Sequence, residues 1–170
     1  MIAIEVVLGD ITQQNVDAIV TAANESLLGG GGVDGAVHRA AGPRLAQAGG
    51  AIGPCAPGDA MPTPAFDLDP PVRHIIHTVG PVWRGGGHGE ARVLASCYHR
   101  SLRIADDLDA LTVAFPTIAT GVYGFPADQA ARIAVATIRS TPTNVQQVRL
   151  VAFDEDSRQH VHTAVTAARC

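Results

Sequence analysis

Four consecutive glycines, Gly29 to Gly32, run into Val33 and Asp34, with His38 four positions beyond the Asp. Glycine raises the entropy lost on folding, so such density persists where main chain must take unusual dihedrals or lie close against a ligand. The run follows a strand-like segment and precedes a helix-compatible one, where free amides and the positive end of a helix gather around an anion. A second stretch of this kind, Thr120, Gly121, Val122, Tyr123, Gly124, also lies between a strand-like and a helical segment. Neither continues into Gly-Lys-Ser/Thr, so neither is a P-loop, and neither has the strict dinucleotide-binding spacing. Asp34 opens the helix and meets His38 one turn on, where the two side chains can hydrogen-bond. An Asp at a helix start is ordinarily a cap. Beside a loop that attracts an anion, however, it is repelled by the same ligand, which points to a carboxylate that orients or deprotonates a water or holds a sugar hydroxyl. Asn24, at the end of a strand-like run, either hydrogen-bonds a polar ligand or begins the turn.

No other constellation competes. His-Glu-x-x-His is absent, His74 and His77 fall in one strand-like run, and His160 and His162 are read as sharing a face near the end; all are taken as structural. Ser26 and Ser96 lack the context of a nucleophile elbow. Cys55, Cys97 and Cys170 are odd in number and far apart, which fits neither a disulfide framework nor a zinc site, and they are expected as reduced thiols.

The elements that would carry these residues follow from periodicity. "IAIEVVLG", "DAIVTAA", "VRHIIHTVGP", "LTVAFPTIAT" and "VQQVRLVAF" read as strands, Pro116 marking a bulge or strand end in the fourth. Helices are predicted over Gly35 to Ala41, stopped by Gly42-Pro43, over Glu90 to Leu108, over Ala127 to Ser140 with Pro126 in the first turn, and from Glu155 onward. Residues 49–71, rich in Gly, Pro and Asp, read as loop with one short strand. Strands alternating with helices imply a sheet covered on both faces, in a single domain over 1–170. At 46% apolar and 16% charged residues the chain is globular rather than disordered. A net charge of −4 without basic clusters argues against duplex nucleic acid as partner but leaves room for a small anion held by backbone amides. "MIAIEVVLGD" has no basic segment before its apolar run, so it is not read as a signal peptide, and no apolar stretch is long enough to span a bilayer; a cytoplasmic address is expected.

In "GDIT" (Gly9 to Thr12), "AANESLLGGGGVDGAVHRAAGP" (Ala22 to Pro43), "HTVGPVW" (His77 to Trp83) and "FPTIATGVYGFP" (Phe115 to Pro126), in that order, the chain resembles the macrodomain family, and within it the MacroD-type branch of ADP-ribose-processing hydrolases. The resemblance implies a three-layer α/β/α sandwich around a mixed sheet, with ADP-ribose across the strand ends. Asp10 would then hydrogen-bond the adenine amino group with Ile11 beside it. Gly30, Gly31, Gly32 and Val33, and Thr120, Gly121, Val122, Tyr123, Gly124 and Phe125, would wrap the diphosphate and distal ribose. Phe125 would pack on that ribose, and Phe153 is the candidate to cover adenine. The branch's catalytic pair falls on Asn24 and Asp34, with His38 supporting the Asp. The implied reaction is hydrolysis at the distal ribose: deacetylation of O-acetyl-ADP-ribose, or removal of one ADP-ribose from an acidic side chain of a modified protein. A water between Asp34 and the substrate's own phosphate is the nucleophile, and no metal or cofactor is required. A monomer is expected, and a non-catalytic ADP-ribose reader is the other class the resemblance allows. Two departures stand out: Thr21 replaces the first Asn of the branch's usual "NAAN", and "PGDA" (Pro57 to Ala60) replaces "TGEA".

Overall fold

The computed structural model describes residues 2–167. Six strands form one sheet: β1 (Ala3–Leu8), β2 (Ala18–Ala22), β3 (Ala60–Pro64), β4 (His74–Thr78), β5 (Thr112–Phe115) and β6 (Gln147–Ala152). Their order is β1-β6-β5-β2-β4-β3, all pairs parallel except β3 with β4. β2 is buried along almost its whole length and β5 nearly so, as parallel strands covered on both faces must be. That is why these segments read as unbroken apolar runs rather than alternating ones.

Helices α1 (Gly32–Ala41) and α2 (Arg44–Ile52) cover one face; α3 (Glu90–Asp107), α4 (Ala127–Ser140) and α5 (Glu155–Ala167) cover the other. Each face has its own apolar cluster, with Val37, Leu45 and Ile75 on the first and Phe115, Leu94 and Ile138 on the second. The architecture is therefore the three-layer mixed-sheet sandwich expected, and β1 stops at Leu8, immediately before Gly9. β5 stops at Phe115, immediately before Pro116.

Four expectations need correction. Helix α1 begins at Gly32, not Gly35, so Asp34 lies inside its first turn. Residues 49–71 are not simply loop around one strand: α2 reaches Ile52, and a 3-10 turn, Phe66–Leu68, follows β3. α2 was hidden by its glycines, which packing requires. A Cβ on Gly49 would stand 2.1 Å from the Leu27 carbonyl oxygen, so only glycine lets the helix lie against the loop that leads to the glycine run. Pro126 caps α4 from outside rather than occupying its first turn. His160 and His162, two apart on α5, point to different sides, His160 half-buried and His162 exposed.

The edge strand β3 pairs Pro62 with Ile76 and Pro64 with His74. Just beyond it the Ala65 amide donates to the Arg73 carbonyl. Cys55 and Cys97 are buried and free, and Cys170 lies outside the described residues.

Candidate functional site

A cleft of about 620 Å³ opens at the C-terminal ends of the parallel strands, the place where open α/β sheets bind ligands. Each strand delivers a loop to it: Gly9 and Asp10 after β1, Ala23 and Asn24 after β2, Gly80 after β4, Pro116 and Thr117 after β5, and Phe153 after β6. Its volume lies within the range of nucleotide-sized sites.

The glycine run forms one wall. Gly31 is the N-cap of α1, extended, and Gly32 takes φ +58, a left-handed conformation that a side chain would strain. Among the described residues no protein acceptor takes the amides of Gly32, Val33 or Asp34, whereas Gly35 already bonds back to the Gly31 carbonyl. These are the free donors of a helix start, and with the helix dipole they favour an anion in the cleft. A Cβ on Gly31 would meet nothing within 4 Å, so that position faces open cleft.

The second loop makes the opposite wall with Thr120, Gly121, Val122 and Tyr123. It is a tight turn, closed by Gly124 N to Gly121 O (3.0 Å) and by Phe125 N to Ala119 O (2.9 Å). The sequence put a helix end behind both loops; the structure gives one only to the first. α4 starts at Ala127, beyond the cleft, so the second loop offers turn amides alone. Phe125 lies behind the other residues of this loop. It is 2% exposed, does not line the cleft, and packs on Trp83 with ring centroids 4.7 Å apart. Its amide donates to the Ala119 carbonyl, which folds the end of the loop into the core, so the ring backs the wall. Gly124 likewise closes the turn outside the lining.

At the far loops, Asp10 caps a 3-10 turn, Ile11–Gln13, its Oδ1 accepting from the Thr12 amide (2.9 Å) and hydroxyl (2.7 Å). Its other oxygen has no such partner, and Ile11 is buried beside it in the cleft wall. Phe153, 64% exposed, stands at the mouth of the cleft.

Asn24 and Asp34 meet at the base of the glycine run. A Cβ on Gly30 would sit 3.4 Å from Asn24 Nδ2 and 3.6 Å from Asp34 Oδ2, so both side chains border one corner of the cleft. Asn24 also holds the loop, donating to the Gly29 carbonyl (3.0 Å) and accepting from Ser26 (2.6 Å). Asp34 is 2% exposed. Its Oδ1 accepts from Thr21 Oγ1 (2.9 Å) and faces His38 Nε2 at 3.6 Å, while Oδ2, also buried, has no protein partner. Burial pushes its pKa above the usual carboxylate value, a rise that the Thr21 hydroxyl and His38 oppose. His38 itself stays behind Asp34 and does not line the cleft.

The resemblance tied Thr21 only to ribose positioning or rate, and His77 was set aside as structural, yet both belong to the polar row behind Asp34. Thr21 and His77 are register partners on β2 and β4. The available signal was a hydroxyl in the middle of an otherwise apolar buried strand. The "PGDA" departure is local: Gly58 bonds Val79 and Ser96, and none of the four residues lines the cleft.

Comparison with known proteins agrees with this geometry. The Macro domain family profile matches residues 20–134. A macro domain-containing protein of Chlorobaculum tepidum is 52% identical over 152 residues, 89% of this chain and 87% of that protein. The Oceanobacillus iheyensis macrodomain solved with ADPR is 38% identical with a TM-score of 0.92, over 98% of this chain and 93% of that one. The Trypanosoma brucei macrodomain in complex with ADP-ribose is 35% identical with a TM-score of 0.86, over 95% of this chain and 68% of that one. Variants of the Oceanobacillus protein have been solved with an asparagine, a glycine seven residues on and an aspartate three beyond that each substituted, the residue types and spacing of Asn24, Gly31 and Asp34. Sheet order, cleft and sequence agree: the chain belongs to the macrodomain family, with that family's ADP-ribose-binding fold.

Proposed function

We propose that this macrodomain is a hydrolase of ADP-ribosyl esters of the MacroD type, acting on O-acetyl-ADP-ribose or on mono-ADP-ribosylated acidic side chains. The observation that carries the reading is Asp34 Oδ2: a buried carboxylate oxygen, free of protein partners, in the corner it shares with Asn24 beside the helix-start amides. A reader needs the amides but has no use for a desolvated carboxylate next to the phosphates it binds, because that charge opposes the ligand.

In the proposed reaction the amides of Gly32 and Val33 and the turn at Thr120 to Tyr123 hold the diphosphate, and Asn24 positions the distal ribose. Asp10 takes the adenine amino group, and Phe153 covers the base. Asp34, made more basic than an ordinary carboxylate by burial, accepts a proton from the attacking water. The water oxygen forms the new bond to the acyl carbon, the ester C–O bond breaks, and Asp34 returns its proton to the leaving ribose oxygen, so the products are a carboxylic acid, ionised at neutral pH, and a ribose hydroxyl. No step uses a metal or an organic cofactor.

Incubation with O-acetyl-ADP-ribose and with a mono-ADP-ribosylated glutamate peptide should release acetate and ADP-ribose respectively, and Asp34→Ala should suppress both. A wild-type protein that binds ADP-ribose with roughly micromolar affinity, about −8 kcal/mol, but turns over neither substrate would be a reader. No heat and no thermal shift with ADP-ribose would remove both possibilities.

A further inference from the structure

The two oxygens of Asp34 have different surroundings. Oδ1 is fixed from the sheet side, by the Thr21 hydroxyl at 2.9 Å and by the facing His38 ring, whereas Oδ2 turns to the corner at Gly30 and Asn24 with no partner. Thr21 is itself fully buried, next to the last residue of β2 and paired there with His77 of β4. A β-branched side chain on a buried strand has few rotamers, so the hydroxyl's direction is set by the sheet rather than by the loop.

A second polar pair stands behind His38. The His77 ring is fully buried, its Nε2 is 2.9 Å from Thr63 Oγ1 on β3, and its centroid is 6.5 Å from that of His38 in an edge-on arrangement. Burial, and secondly His38, push the His77 pKa down to about 4, so at neutral pH this ring adds no positive charge behind Asp34. Thr21 is thus the only uncharged donor among the described residues that a hydrogen bond ties to Asp34 Oδ1.

The geometry points to Thr21 as a positioning residue for hydrolysis: its hydroxyl occupies Oδ1 and so commits Oδ2 to the attacking water. The inference rests on the hydrolase reading and adds to it the means by which one carboxylate is both anchored and reactive. It also accounts for the departure at this position. Asparagine carries two donors and an acceptor, whereas threonine offers one hydroxyl donor on a stiff side chain, enough for one oxygen and no more.

Titration is the sensitive readout, because a donor on the charged form holds a carboxylate's pKa down. The charged groups around Asp34 are limited. His38 comes from α1 itself and His77 lies behind it on β4. Of the other elements packed on α1, β2 brings no titratable group, the 3-10 turn at Ile11–Gln13 brings only its cap Asp10, and α2 and the turn at Phe66–Leu68 bring Arg44 and Asp67, which pair with each other.

The test compares wild type with Thr21→Val, which removes the donor at nearly constant shape, and with Thr21→Ser, which restores it. Carbon-13 NMR titration of the Asp34 carboxyl needs no turnover; in Thr21→Val its midpoint should move up by about one pH unit. The acidic limb of kcat should move up with it, so that below the limb kcat drops about tenfold while the ADP-ribose Kd stays within about twofold. Thr21→Ser should return both profiles to wild type. Thr21→Ala serves the same purpose if the valine variant does not fold. Unchanged Asp34 titration and unchanged kcat in either donor-free variant would overturn the assignment. Failure of the hydrolase reading looks different: wild type would turn over no ester, and the Asp34 titration would still decide whether Thr21 sets the carboxylate.

Discussion

At residues 84–89 the amides of Arg84, Gly86 and His88 close on the carboxylate of Glu90, the first residue of α3, at 2.9, 2.9 and 2.6 Å. At residues 29–33 another glycine-rich bend also leads into a helix, but there no side chain among the described residues accepts the helix-start amides. The two bends apply one physical device, main-chain donors gathered on an anion at a helix start. In one the anion is a residue of the chain, and the bend is architecture. Trp83, whose amide donates to Tyr123, lies against both this bend and Phe125, so the anchored loop also braces the second wall of the cleft. In the other bend the donors face the cleft, and the nearby carboxylate of Asp34 accepts from Thr21 instead. Glycine content alone does not separate a structural bend from a binding one; the location of the nearest acid does.

The largest contrast should come from Asp34→Asn. Turnover should fall by roughly 10²–10⁴-fold, the usual worth of a general base, while the melting temperature at neutral pH rises. The sign follows from linkage. Burial raises the folded pKa above the ordinary carboxylate value of 3.8, so the carboxyl's stabilising contribution is present below that value and is lost as pH rises through the folded pKa. Thermal melts across pH should show that slope in wild type and not in the variant.

Glycine replacements test the comparison next. Gly30→Val places methyl groups between Asn24 and Asp34 and should abolish turnover with little loss of stability. Gly86→Ala, at φ +92 with its Cβ 2.9 Å from the Trp83 ring, should do the reverse, lowering stability by about 1 kcal/mol or more while turnover persists. If both variants lost only stability, the functional distinction between the bends would be gone.

Glu90→Gln removes the internal anion and should lower the melting temperature with the active corner intact. The three amides, Arg84 first, hold Glu90 down to about 2, against an ordinary value of 4.5. Its contribution is therefore present above pH 4.5 and lost as pH falls through about 2, so wild type and variant should converge in acid. The smallest effect belongs to Phe153→Ala, which should weaken ADP-ribose binding by about three- to tenfold in calorimetry, the loss of one aromatic contact at an exposed site.

Much of this was legible in the sequence, for local reasons. The parallel strands are short apolar runs rich in β-branched residues, β1 and β5 closed directly by Gly9 and Pro116, and the glycine run with Asp34 marks its own site. What was hidden depends on contacts between distant segments. α2 looked like loop because Gly49 and Gly50 are poor helix formers, and the need for Gly49 lies in the Leu27 carbonyl. Phe125 looked available to a ligand because its partner Trp83 belongs to another loop. The role of Thr21 could not be read at all until β2 and α1 were packed together, and the anchored bend was overlooked because Glu90 read only as the start of a helix.

The edge strand β3 has a consequence beyond the site. Since the Ala65 amide turns inward to Arg73, alternation along the strand sends the nitrogens of Pro62 and Pro64 outward, and proline nitrogens carry no hydrogen. A foreign strand aligning on this flank finds carbonyls but no donors to answer its own, which discourages chain-to-chain stacking and amyloid-like growth. Between the two prolines, Thr63 directs its hydroxyl inward to His77. The same five residues thus repel unwanted neighbours on one side and hold the buried imidazole on the other.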